Sequence, residues 1–192
     1  MRLCIADVVS ATKGTLICGD LNAGIVKVST DTRAIEIGSF FVALVGETFD
    51  GHQFLEQAKE KGAIGCLVQK DVDAGLLTDG FAVIRTEDTR LGLAQIAGVY
   101  RRMFEGRVCA ITGSVGKTST KDMVAAVLSK SFSVHKTQGN FNNEIGMPLT
   151  VLGLTGEHTA LVTEMGMRGF GEIDYLANIA KPDVGVITNI GV

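Results

Sequence analysis

The sequence has no run of basic residues. Its 18 lysines and arginines are outnumbered by 21 aspartates and glutamates, for a net charge of −3, so nucleic acid is not expected as a partner. No apolar stretch approaches the roughly 20 residues of a membrane-spanning helix. The N-terminal run Met1-Arg2-Leu3-Cys4-Ile5-Ala6-Asp7 meets an acid too early for a secretory signal. Cys4, Cys18, Cys66 and Cys109 are scattered, with no C-x-x-C spacing. Cys66 and Cys109 lie in apolar strand-like runs, so they are expected to be buried free thiols in a reducing cytoplasm. His52, His135 and His158 lack metal-ligand spacing and are expected to serve packing or the surface. There is no internal repeat and no low-complexity tract. With 46% hydrophobic and 20% charged residues, the 192-residue chain has the composition of a globular protein of one large or two small domains.

What is present is a phosphate-binding loop. Thr112-Gly113-Ser114-Val115-Gly116-Lys117-Thr118-Ser119 follows the apolar run Val108-Cys109-Ala110-Ile111. It precedes Lys121 to Leu128, where Met123, Val124, Val127 and Leu128 are expected to form one helical stripe. Strand, glycine turn and helix are the setting such a loop requires. Glycines let the backbone turn its N–H groups inward, and the helix N-terminus adds positive potential. Lys117 is placed to reach the outer phosphates and the Thr118 hydroxyl to meet Mg²⁺. Ile111 stands where the longer form of the loop carries its first glycine.

The chain changes texture near Glu105-Gly106, the expected domain boundary. Before it, β-rich runs (26–30, 40–45, 64–68, 81–84) alternate with helices at 52–61 and 89–104. After it the order is strand 107–112, helix 118–130, strand 132–136, helix 146–152, strand 160–164, helix 171–180 and strand 184–188. Such alternation predicts a parallel sheet with right-handed crossovers.

Three further clusters carry polar chemistry. Glu164 closes the strand 160–164 in the sheet of the phosphate loop, where a carboxylate is placed to hold Mg²⁺; the alternative is a solvated acid at a strand end. Gln138 to Gly146 is rich in amides, which suit either ligand oxygens or turn and cap chemistry. Ser29-Thr30-Asp31-Thr32-Arg33 and Gly46 to His52 are strand-end loops where a ligand can sit, with Asp50 read as a helix cap.

Together these strings resemble the Mur ligases, the amide-forming enzymes of bacterial cell-wall precursor synthesis, whose phosphate loop takes the short form T-G-S-x-G-K-T. The resemblance is carried by Gly139-Asn140-Phe141-Asn142-Asn143-Glu144-Ile145-Gly146-Met147-Pro148-Leu149, by Thr163-Glu164-Met165-Gly166 with Gly171-Glu172-Ile173, and by Lys181 to Gly191. Asp31-Thr32-Arg33 and Asp50-Gly51-His52 also fit and are shared with the neighbouring MurE ligases. The resemblance implies an α/β fold: a small N-terminal α/β domain over 1–105 for a UDP-linked substrate, then a truncated, mostly parallel-sheet ATP-binding domain over 106–192. It implies ATP and Mg²⁺ as cofactors, UDP-MurNAc-tripeptide and D-alanyl-D-alanine as substrates, and ligation through an acyl phosphate. ATP is placed on Gly113, Ser114, Val115, Gly116, Lys117, Thr118 and Ser119, with Lys117 and Glu164 catalytic and Thr118 and Glu164 on the metal. Thr30, Asp31, Thr32 and Arg33 are placed near the uridine, and Asn142 and Asn143 near the phosphates or substrate.

The family is at least about twice this length, so the 192 residues are expected to be a fragment lacking the second-metal lysine, the rest of the central sheet and a C-terminal domain. Such a fragment is expected to be monomeric and not to ligate by itself. The competing readings are a nucleotide- or UDP-sugar-binding module without chemistry, a MurE-type ligase, and a P-loop phosphotransferase. The last has no arginine-rich lid to support it.

Overall fold

The computed structural model describes residues 2–78 and 80–191, which form two compact units, Arg2–Val99 and the chain from Tyr100 onward. In the first unit, β1 (Leu3–Cys4) leads into α1 (Ile5–Thr12), and β1 pairs antiparallel with β3 (Gly24–Ile25). The remaining strands are β2 (Thr15–Cys18), β4 (Lys27–Ser29), β5 (Ser39–Val42), β6 (Gly65–Val68) and β7 (Ala82–Arg85), ordered β2-β7-β6-β5-β4 in one sheet. Four strands are parallel, and β2 runs antiparallel on the edge beside β7. Helices α2 (Leu55–Glu60) and α3 (Thr89–Arg102) follow β5 and β7.

The apolar run 40–45 contributes a strand buried on both faces, with Phe40 and Phe41 at 0% and 1% exposure. Each such side chain contributes roughly 1.5–3 kcal/mol on burial. Cys66 lies in the same core, where burial pushes its thiol up to about 12. All four cysteines are free, and Cys109 is only half-buried.

Two departures from the expected elements have local causes. Helix α1 covers a segment for which no helix is predicted. Asp7 makes it possible by reaching back to accept from the Cys4 N–H at 2.8 Å. The helix expected from His52 opens as a 3-10 turn over Gly51–Phe54 and becomes α-helical only at Leu55. Asp50 caps that turn, accepting from the His52 N–H at 3.0 Å. His52 is a packing residue: Nδ1 meets Asp50 at 2.6 Å and Nε2 accepts from the Gln69 N–H.

The division between units falls in the last turn of α3, ahead of Gly106. Here Tyr100 donates its hydroxyl to Leu154 O and Arg101 reaches Ala180 O, both in the second unit. That unit contains β8 (Arg107–Thr112), α4 (Lys117–Leu128), β9 (Val134–Lys136), α5 (Gly146–Leu152), β10 (Ala160–Glu164), α6 (Glu172–Ala180) and β11 (Val184–Ile187). Its four strands are all parallel, in the order β11-β8-β10-β9. The chain leaves β8 to one side and returns from β10 to the other, so the carboxyl ends of β8 and β10 border a topological switch point, where open α/β sheets bind ligands.

Helix α4 corrects the predicted stripe. Its buried residues are Lys121 and Ala125, with Val124 and Leu128 half-buried, whereas Met123 and Val127 are 70% and 71% exposed. The small Ala125 fits closely over Ile111 and Val162, and larger residues are turned outward.

His135 packs against His158 with ring centroids 4.9 Å apart and the rings tilted by 47°, and its Nε2 meets Thr150 O. Burial, and then repulsion from His158, hold its pKa below the ordinary 6.5. The unfolded chain therefore takes up this proton first on acidification. The contribution to stability is complete above about pH 6.5 and is lost as the pH falls through that value. The melting temperature is expected to drop between about pH 7.5 and about pH 5.5, and His135→Gln, which keeps a donor for Thr150 O, is expected to flatten that drop.

Candidate functional site

The loop after β8 turns on two glycines. Gly113 has φ +136 and Gly116 φ +86, both in the region where side chains are strained. At Gly113 a Cβ would also collide with Thr188 Oγ1 and crowd Asn189. The loop is clamped by the chain following β11. Asn189 accepts the Ser114 N–H through its carbonyl at 3.1 Å and the Val115 N–H through its side chain at 2.9 Å. Thr188 donates to Val115 O at 2.6 Å, and the Gly191 N–H donates to Ser114 Oγ. The amides of Ser114 and Val115 are thus engaged within the protein, and the first-turn amides of α4, from Lys117 to Ser119, are those aimed outward. Sequence reasoning missed this role of Thr188 and Asn189. The signal was there, since they follow the strand that neighbours the loop strand.

Lys117 is half-buried and donates to Gly113 O at 2.7 Å, so its ammonium lies over the loop. Thr118 donates its hydroxyl to Glu164 Oε2 at 2.8 Å. This contact follows from register: Glu164 pairs with Ile111, placing the ends of β10 and β8 side by side. Glu164 is not a solvated acid but is 3% exposed. Its second oxygen accepts from Asn142 Nδ2 at 2.8 Å, and its N–H donates to Thr137 Oγ1 at 3.0 Å. Asn142 O in turn accepts from the Gly166 N–H at 2.8 Å. The structure therefore brings Lys117, Thr118, Glu164 and Asn142 together. Asn143 lies beside them, and its Oδ1 accepts from the Ile145 and Gly146 amides in the turn that opens α5.

A cavity of about 660 Å³ opens beside this cluster, lined by Lys117, Asn142, Asn143, Arg168 and Tyr175 among others. Its rim carries the fully exposed Phe170 and the largely exposed Met167, both on the glycine-rich loop after β10. Among the described residues no cluster of three or more His, Cys, Asp or Glu forms a metal site. The Thr118 hydroxyl and Glu164 carboxylate nonetheless fit Mg²⁺. They are hard oxygen donors 2.8 Å apart, and Mg²⁺ is commonly held by one or two protein oxygens with phosphates and water completing the shell.

The first unit has its own cleft, of about 410 Å³, at the carboxyl ends of β4 and β5. Thr30, Asp31, Thr32 and Arg33 line it together with Phe49 and Gln57. Arg33 grips Asp31 through Nε at 3.0 Å and Nη2 at 2.7 Å, which holds the carboxyl of Asp31 down at about 2. Thr32 donates to Gln57 Oε1 at 2.6 Å, and Phe49 stacks on Phe54 with centroids 5.6 Å apart. The cleft thus offers aromatic faces, an amide and an exposed guanidinium, a set that suits a planar base with an anionic tail.

The family pattern described as Mur ligase family, catalytic domain, matches residues 24–101, and that of the Mur ligase middle domain matches residues 111–192. A relative from Synechocystis sp., called UDP-N-acetylmuramoyl-tripeptide–D-alanyl-D-alanine ligase, is 47% identical over 85% of this chain and 36% of its own length. The Bacillus subtilis protein of the same name is 45% identical over 97% of this chain and 41% of its own length. The crystal structure of MurF from Acinetobacter baumannii superposes with a TM-score of 0.89 at 36% identity, over 100% of this chain and 42% of that one. MurF from Thermotoga maritima in complex with ADP superposes with a TM-score of 0.76 at 34% identity, over 86% and 38% of the two chains. The chain spans about two fifths of the length of the curated relatives it matches. With both of its units matched in this way, the chain belongs to the Mur ligase family.

Proposed function

We propose that these residues provide the UDP-substrate unit and the phosphate loop of an ATP-dependent ligase that joins D-alanyl-D-alanine to UDP-MurNAc-tripeptide. The observation that carries the proposal is the Lys117–Thr118–Glu164–Asn142 cluster at the carboxyl ends of β8 and β10. The names of relatives at 45% and 47% identity support it. An enzyme of this kind acts in the cytoplasm, where its nucleotide substrates are held.

In the proposed reaction an oxygen of the peptide carboxylate attacks the γ-phosphorus of ATP, and ADP leaves. The amine of D-alanyl-D-alanine then attacks the acyl carbon of the resulting acyl phosphate. Phosphate departs, the nitrogen loses a proton, and an amide remains. A carboxylate becomes a usable acylating agent only when its oxygen leaves as phosphate. Mg²⁺, when bound, neutralises phosphate charge and would be held by Thr118 and Glu164. Lys117 lies within reach of the transferring phosphate and offsets the charge that develops there. The α4 amides hold the remaining phosphate oxygens, and Asn142 keeps Glu164 in position.

The cleft of the first unit would take the UDP end, with the uracil among Phe49, Phe54 and Gln57 and the diphosphate near Arg33. Arg33→Ala is expected to weaken UDP-MurNAc-tripeptide binding by about tenfold, the size of one charge-assisted contact, while ADP binding is unchanged. Calorimetry with each ligand checks this. Unaltered affinity for the UDP ligand would remove the assignment. The reading as a binding module without chemistry would instead require that no ADP form when a full-length protein carrying these residues is supplied with ATP and both substrates.

A further inference from the structure

Among the described residues, two charged side chains of the second unit are buried, one of each sign: Lys121 and Glu164, each 3% exposed. Glu164 belongs to the cluster above, but Lys121 does not. It sits on α4 three residues after Thr118, so both project from the same side of the helix toward the sheet. Burying an ammonium is costly where an apolar residue would pack at no such cost, so its hydrogen bond is informative. Nζ donates to Thr137 O at 3.0 Å. The nearest carboxylate is Asp122, 3.5 Å away on the adjacent residue, half exposed and already held by Lys136 at 2.6 Å.

Thr137 is itself completely buried, and each of its polar backbone and side-chain groups is placed. Its N–H donates to Val162 O at 3.1 Å, which continues the β9–β10 pairing one residue beyond Lys136. Its carbonyl accepts from Lys121, and its hydroxyl accepts from the Glu164 N–H at 3.0 Å. A continuous buried chain therefore runs from α4 through Thr137 to the backbone of Glu164, and from the Glu164 carboxylate back to Thr118 on α4.

We propose that Lys121 and Thr137 are positioning residues that fix the end of β10 against α4, so that the Glu164 carboxylate stays opposed to the Thr118 hydroxyl for a magnesium-bound nucleotide. This rests on the nucleotide reading above. The hydrogen bonds of Lys121 and Thr137 go to the protein itself and reach the Glu164 backbone, so they are expected to act on the metal-dependent part of binding and not on the contacts of the loop amides.

The test is calorimetric binding of ADP with Mg²⁺ and of ADP with EDTA to the wild type, Lys121→Met, Thr137→Val and Thr137→Ser. Lys121→Met and Thr137→Val are expected to raise the MgADP dissociation constant about tenfold, the size of effect found for groups that support metal ligands. The metal-free constant should shift less than about twofold. Thr137→Ser, which keeps the hydroxyl, should restore MgADP binding. The proposal is overturned if cooperatively melting variants bind MgADP normally, if both forms of ADP weaken equally, or if serine fails to rescue. Should Lys121→Met not fold, the Thr137 pair decides, because it leaves α4 untouched. A wild-type chain that binds ADP equally with and without Mg²⁺ would overturn the assignment of Thr118 and Glu164 as well. Normal wild-type magnesium dependence with unaffected variants overturns this inference alone.

Discussion

In a full-length ligase that carries these residues, Lys117→Ala is expected to lower ligation turnover by about 10²–10³-fold, the usual loss when one preorganised donor to a developing negative charge is removed. The ammonium belongs to the first residue of α4, and its hydrogen bonds go to loop carbonyls, Gly113 O at 2.7 Å and Ser114 O at 3.4 Å. Neither bond holds β8 to α4, and the side chain is only half-buried. Truncation should therefore leave the fold unchanged while removing a cation that can swing from its own loop onto a phosphate. ADP release in the presence of UDP-MurNAc-tripeptide and D-alanyl-D-alanine measures the first part, and a thermal melt the second. Near-normal ADP release would remove Lys117 from the reaction. A lowered melting temperature would show instead that the lysine braces the loop.

Gly113→Ala is expected to weaken nucleotide binding by about 10²-fold, by a different route. At φ +136 an alanine is strained by about 1–3 kcal/mol. Its methyl would also displace Thr188, whose hydroxyl ties Val115 O to the segment after β11 at 2.6 Å. The loop would then lose both its backbone shape and its clamp. Gly116→Ala is the matched comparison. There φ is +86 and nothing lies within 4 Å of the added Cβ, so only backbone strain of about 1–2 kcal/mol applies. ADP titrations of the two variants should therefore differ by about tenfold. Equal losses would mean that contact with Thr188 contributes nothing to the loop.

Much of the second unit is legible in its residues. Strands 107–112 and 160–164 and the helix 146–152 are predicted at the bounds the structure has, because apolar runs bounded by glycine and polar turns are local signals. The phosphate loop is equally local: glycines at two strained positions and a lysine at a helix start require no distant partner. The first unit was less legible. Helix α1 is 8 residues long with a cysteine at its cap, and its capping interaction is made by a single aspartate. The stripe on α4 was misplaced because periodicity ranks Met123 and Val127 as core, whereas the space over β8 and β10 admits Ala125 and the stem of Lys121.

Which groups meet was decided by register and strand order. The sequence by itself determined a parallel α/β unit carrying a phosphate loop, and a polar strand-end loop around Asp31 and Arg33, both readable from spacing along one chain, and its motif strings resemble those of the Mur ligases. Only the tertiary structure decided that Glu164 is buried between Thr118 and Asn142, that Asn189 occupies two loop amides, and that Lys121 reaches Thr137. These contacts join residues 16 to 74 positions apart or depend on which of two neighbouring amides turns inward. No local preference encodes them, because they follow from β10 being inserted between β8 and β9 and from β11 lying beside β8.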